Sequence, residues 1–232
     1  LDVEGETLGS ELAIAVREFN DGIRWGKIEQ SAAHLSLDRR QLFAESYAGV
    51  YRQAGLLGPK TLLAHGIWLT AAERRAVSGS GSALVHCPTS NAFLASGVMD
   101  LPAARLAGCR LALGSDVAAG PSLDLFEVMR QAVFAQRLAR AHRLFKPGPE
   151  AAPAEAFAMA TTGGARALGL PAGGGTLTKG APADIVLVDP AEYDPFRPAP
   201  DGRTALARLV YRGSRRAVRA TFVAGRRIWG KV

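Results

Sequence analysis

His65, His86 and Asp116 each close a short apolar run: Leu62-Leu63-Ala64-His65, Val85-His86, and Leu111-Ala112-Leu113-Gly114-Ser115-Asp116. Gly, Pro or Ser follows close behind, which is how a buried parallel strand looks when it delivers one chemical group at its carboxyl end. Imidazole and carboxylate are the side chains that bind a divalent metal such as zinc and move protons at neutral pH. Taken singly, an aspartate after a strand is more commonly a turn or helix cap, and an isolated histidine a hydrogen-bonded polar residue. The conjunction of the three on successive strand ends favours a shared site, with His65 and Asp116 separated by one strand.

The elements that must position them follow from periodicity. Helical segments are predicted over Thr70 to Ser78 and Asp100 to Ala107, between the three apolar runs. Strand, helix, strand, helix, strand with polar groups at the strand ends points to a (β/α) barrel whose active face lies there. Upstream, Ala32-Ala33-His34-Leu35 predicts a weak strand ending in His34. A helix over Gln41 to Ala54 follows, stopped by Gly55-Leu56-Leu57-Gly58-Pro59. Downstream, Leu123 to Ala141 is an amphipathic helix with Val128, Met129, Ala132 and Val133 on its apolar face. A further helix is predicted over Ala154 to Thr161, and His142 is expected to be exposed. Composition shifts at Pro171, and strands are predicted near Ile185 to Val188, Val218 to Val223 and Arg226 to Trp229. These divisions predict three regions: residues 1–33, unassigned beyond a helix around Glu11 to Phe19; residues 34–170, the barrel part; and residues 171–232, a β-rich appendage.

Composition narrows the class. With 232 residues, 48% of them hydrophobic, the chain can bury a sizeable core. It contains no apolar run of the roughly 20 residues that span a bilayer, so no membrane partner is expected. Two cysteines without a CxxC spacing agree with a reducing, cytoplasmic location. The formal charge of +7 comes from scattered arginines without interleaved aromatics, so no nucleic-acid partner is expected either.

Three stretches then carry a family resemblance. Ala64-His65-Gly66-Ile67-Trp68-Leu69, His86-Cys87-Pro88-Thr89-Ser90-Asn91 and Leu113-Gly114-Ser115-Asp116-Val117-Ala118-Ala119-Gly120 resemble the amidohydrolase superfamily, in its purine-deaminase and chlorohydrolase branch. Among those families the chain looks most like the guanine deaminases, helped by the tail around Leu209 to Gly213 and Ala217 to Arg226. The resemblance covers about residue 34 onward. It implies the C-terminal half of a (β/α)8 metal-dependent hydrolase barrel with a small β-sandwich-like appendage. It also implies one zinc per site with iron as the alternative, a purine or related heterocycle as substrate, and a homodimer as a compatible assembly.

Residue by residue, Asp116 resembles the last-strand aspartate that binds zinc and takes the proton of the attacking water. His65 resembles the histidine that contacts the developing tetrahedral oxygen. His34 resembles the fifth-strand metal ligand. His86 belongs to the same face without being a ligand, and is expected to shape the substrate pocket through hydrogen bonds.

Two departures stand out. The family's first-strand His-x-His pair has no counterpart among the four histidines, and Leu37 stands where the family has a proton-shuttling Glu. Leucine cannot carry a proton. The readings carried forward are a guanine deaminase with impaired activity, a hydrolase of another amino- or chloro-substituted heterocycle, and a truncated, non-catalytic relative.

Overall fold

A computed structural model describes residues 46–146, 148, 152–194 and 201–230. The predicted helix around Glu11 to Phe19, the strand ending at His34, and Leu37 lie outside the described residues. The chain divides into two compact units, Leu1–Leu56 and Leu57–Val232. Of the first, the helix Tyr47–Gln53 (α1) is described, ending at Ala54 where Gly55 takes φ 67°. That is the glycine stop expected there.

The second unit begins with Leu62–Ala64 (β1), Ala71–Gly79 (α2), Ala83–His86 (β2), Pro88–Phe93 (α3), Leu101–Leu106 (α4) and Arg110–Leu113 (β3). The three strands form one sheet in the order β1-β2-β3, and both pairings are parallel. Parallel neighbours need crossover connections, and here each crossover carries helix, as the alternating pattern predicted. The register places Ala64 beside Val85 and His86 beside Leu113, so all three strands end at one edge of the sheet. The ladder runs one step further at each end, where His65 N–H donates to Val85 O and Gly114 N–H to His86 O.

Local signals fix where the crossover helices begin. Thr70 and Glu73 form a reciprocal capping box: Thr70 Oγ1 accepts from Glu73 N–H at 3.2 Å, and the Glu73 carboxylate accepts from Thr70 N–H at 2.7 Å. Asp100 caps α4 by accepting from Ala103 N–H at 3.0 Å. Val77 of α2, Leu84 of β2 and Leu101 of α4 are fully buried, each contributing about 1.5–3 kcal/mol by burial.

The long helix Leu125–Ala141 (α5) has Val128, Met129, Ala132 and Val133 buried, as its period predicted. It is followed by Pro153–Ala158 (α6), a π-turn over Met159–Gly163, and Gly164–Ala167 (α7). The predicted helix over Ala154 to Thr161 therefore changes pitch at its end. Thr161 and Thr162 donate their hydroxyls back to Phe157 O and Ala158 O, which competes with regular α-helical bonding. On one face of the sheet Ala83 and Ala112 pack against Ala167, with Val85 beside them. These small residues let the helix lie close to the strands.

The predicted tail strands appear as Ile185–Val188 (β4), Val218–Val223 (β5) and Arg226–Gly230 (β6), an antiparallel sheet in the order β4-β5-β6. Ala224 and Gly225, both at positive φ, make the tight turn between β5 and β6. One element of this region was not predicted. Gly202–Arg212 (α8) is a helix capped by Asp201, and its Val210 packs with Met129, Val133 and Ala156 in one apolar cluster. The tail is thus tied into the core of α5 and α6. Among the described residues, no helix is long and apolar enough to cross a membrane.

Candidate active site

His65 and Asp116 follow β1 and β3 directly, and both adopt the left-handed conformation, at φ 68° and 51°. Non-glycine residues pay about 1–2 kcal/mol there, and such backbone is concentrated at functional sites. Leaving the strand direction at these points brings the two side chains together across β2: His65 Nε2 lies 3.6 Å from Asp116 Oδ2. The side chains are 20% and 30% exposed, so the pair is reachable from solvent. Behind Asp116 the loop is closed by Gly120 N–H donating to Asp116 O.

The short helix α3 holds both side chains. Its Ser90 donates Oγ–H to Asp116 Oδ2 at 2.5 Å, and Asn91 Oδ1 lies 2.8 Å from His65 Nδ1. Ser90 and Asn91 are buried, and α3 starts with Pro88 in its first turn, where the missing N–H costs nothing. The His86–Asn91 hexapeptide resembles a family motif, but the sequence assigns no role to Ser90 or Asn91 individually. The available signal was their position two to three residues after a proline that starts a helix at a strand end.

His86 is fully buried, and among the described residues neither ring nitrogen has a hydrogen-bond partner. Burial, and secondarily the nearby His65, pushes its pKa down to about 4, so the ring is neutral at physiological pH. Cys87 is buried as well. Burial, reinforced by the charge of Asp116 and opposed by a backbone contact with His65, pushes its thiol up to about 11. A neutral buried thiol is neither nucleophile nor metal ligand. His142 is exposed beyond the end of α5, as predicted.

The donor set can be tested against a metal. Asp116 fits a ligand role, because Oδ2 is occupied by Ser90 whereas Oδ1 has no hydrogen-bond partner among the described residues. Among the described residues, no group of three or more His, Cys, Asp or Glu side chains could hold a metal ion. Among the described residues, Asp116 alone is thus placed as a ligand would be. His34, expected as a ligand, falls outside the described residues.

The site's geometry can be set beside known proteins. Residues 12–228 match the amidohydrolase family. The 5-methylthioadenosine/S-adenosylhomocysteine deaminase of Pyrococcus abyssi is 39% identical over 152 residues, which is 65% of this chain and 34% of that protein. Escherichia coli guanine deaminase superposes with a TM-score of 0.72 at 28% identity, covering 83% of this chain and 45% of that one. An adenosine deaminase from Xanthomonas campestris with bound zinc gives a TM-score of 0.66 at 28% identity, covering 88% and 48%. The chain spans between a third and a half of the length of these relatives. With a parallel sheet whose strand ends carry His65 and Asp116, and a family match over most of its length, the chain belongs to the amidohydrolase family.

Proposed function

We propose that this chain carries the His65–Asp116 part of the active site of a purine deaminase, with guanine as the substrate of first choice. The observation that supports this reading is the convergence of His65 and Asp116 at 3.6 Å from the ends of two parallel strands, each held by a neighbour on α3. In this reading β1 to β3 belong to the C-terminal part of a (β/α)8 barrel spanning residues 34–170, and residues 171–232 form its appendage. His34, outside the described residues, and Asp116 would hold a zinc ion, which when bound would supply the Lewis acidity that makes water a nucleophile at neutral pH.

The chain's own residues then have defined work. Water adds its oxygen to the ring carbon bearing the exocyclic amine, and Asp116 accepts the proton released. Through Nε2, the nitrogen left to take up a second proton, His65 donates as the charged ring to the oxygen on which charge develops, while His86 backs the pocket as a neutral, buried ring. The C–N bond breaks as the amine gains a proton and leaves as ammonia, so guanine and water give xanthine and ammonia. The missing participant is an acid at the ring nitrogen. Leu37, outside the described residues, stands at the position where the family has a glutamate, and turnover of the chain as written is therefore low.

A second reading has its own support. The relative named 5-methylthioadenosine/S-adenosylhomocysteine deaminase is 39% identical over its aligned part, which favours an adenine-type nucleoside as the alternative substrate. Ammonia release from guanine and from 5-methylthioadenosine separates the two, assayed with zinc on the wild-type chain and on His65→Ala, Asp116→Asn and Leu37→Glu. The guanine reading expects weak turnover of guanine, lost in the first two variants and raised about a hundredfold or more in Leu37→Glu. Preference for the nucleoside selects the second reading. Ammonia from neither substrate, in wild type and Leu37→Glu alike, would overturn both.

A further inference from the structure

We propose that Asn91 and Ser90 are a pair of positioning residues that fix the tautomer of His65 and the orientation of Asp116 before substrate arrives. This rests on the purine-deaminase reading for its catalytic consequence, though not for its structural content. The two residues are neighbours on one short helix, and each reaches a different strand end. Asn91 Oδ1 meets His65 Nδ1 at 2.8 Å, and Ser90 Oγ–H meets Asp116 Oδ2 at 2.5 Å. A single rigid turn thereby sets the distance between the two side chains, because α3 cannot move toward one without moving relative to the other.

The bond to Asn91 has a defined polarity. An amide oxygen only accepts, so His65 Nδ1 carries the proton and Nε2 becomes the nitrogen that faces Asp116 and the site. Free imidazole in proteins can place its proton on either nitrogen, and a histidine with the wrong tautomer offers the wrong atom to the reaction. Ser90 does the matching work on the carboxylate. Its hydroxyl occupies Oδ2, which leaves Oδ1 of Asp116 without a hydrogen bond among the described residues and therefore available for a ligand or proton.

A purely structural role for these residues fits less well. Ser90 stands in the first turn of α3, where a serine can bond the nearby backbone, yet it donates instead to a side chain 26 residues away. Asn91 Nδ2 is buried and without a partner among the described residues, so within them this side chain bonds through Oδ1 to His65 alone. Burying an unpaired amide donor is unfavourable. A side chain kept for local packing would be replaced by an apolar one without that cost.

The tautomer is directly measurable. Nitrogen-15 NMR of histidine-labelled protein at alkaline pH, with His65 assigned by its loss in His65→Gln, should show a protonated Nδ1 and an unprotonated Nε2 for His65. Asn91→Asp keeps the acceptor and should keep this pattern, whereas Asn91→Leu should shift the proton toward Nε2 while circular dichroism stays unchanged. Where turnover is measurable, Asn91→Leu and Ser90→Ala should each lower kcat about tenfold with KM little altered, and Ser90→Thr should restore the hydroxyl's effect. An Nε2-protonated His65 in the wild-type protein overturns the proposal without any variant. So does a tautomer unchanged in folded Asn91→Leu. Absence of deaminase turnover with the tautomer pattern intact would instead count against the proposed function and leave the positioning result standing.

Discussion

Ser90 Oγ and Asp116 Oδ2 stand 2.5 Å apart although 26 residues of chain separate them, and the contact joins α3 to the loop after β3. A hydroxyl bound to an ionised carboxylate is among the stronger protein hydrogen bonds. Ser90→Ala should therefore destabilise the protein by about 1–2 kcal/mol, read as a lowered midpoint of urea unfolding with unchanged slope. An unchanged midpoint would mean that the hydroxyl spends its time elsewhere in solution.

His86 gives the fold a pH dependence whose sign follows from burial. Its native pKa is lowered from 6.5 to about 4, so between those values the unfolded chain binds a proton that the folded chain does not. Stability then rises with pH across that window and falls as pH drops through it, by at most about 3 kcal/mol from this group. Urea unfolding measured from pH 7 to pH 4.5 should show the decline, and His86→Leu should flatten it. The same substitution removes two buried nitrogens that have no partner among the described residues, so the variant should be no less stable than wild type at pH 7. Equal slopes in the two proteins would show that His86 is not the source.

Gly163 lies where the π-turn passes β3. A Cβ built there would sit 2.5 Å from Leu111 O, a backbone atom that cannot swing aside. Gly163→Ala should cost about 1–3 kcal/mol through overpacking and should displace the strand that carries Asp116. The expected reading is a lowered unfolding midpoint together with a changed amide spectrum along 110–116. Tolerance of alanine with neither change would place the π-turn further from the strand.

Zinc tests the ligand assignment. Metal analysis after dialysis against a chelator should find less than one zinc per chain, and Asp116→Asn and His34→Gln should each lower the zinc taken up on reloading. A catalytic zinc usually has three protein ligands, and the proposed pair supplies fewer. Stoichiometric zinc that survives the chelator would point to further ligands.

Much of the scaffold could be read directly from the chain. Apolar runs of four or so residues ending in His or Asp are local signals, and β1, β2 and β3 lie where those runs stand. Thr70 with Glu73, and Asp100 before its helix, announce helix starts because a capping side chain satisfies backbone donors within three residues of itself. The period of Val128, Met129, Ala132 and Val133 likewise reports a buried helix face without reference to any partner.

What the tertiary structure decided was which side chains meet. Ser90 and Asn91 look like ordinary polar residues of a short helix, and only the parallel register of β1, β2 and β3 brings them to Asp116 and His65. His86 shares its residue type and strand-end position with His65, yet His86 is sealed and without a partner among the described residues while His65 is part exposed. Sequence pattern carries the period of an element but not the direction in which the chain leaves it. The left-handed turns at His65 and Asp116 set that direction. Helix α8 was missed for a related reason: its place is secured by Val210 packing against α5 and α6, a contact between residues far apart in the chain that no local window contains.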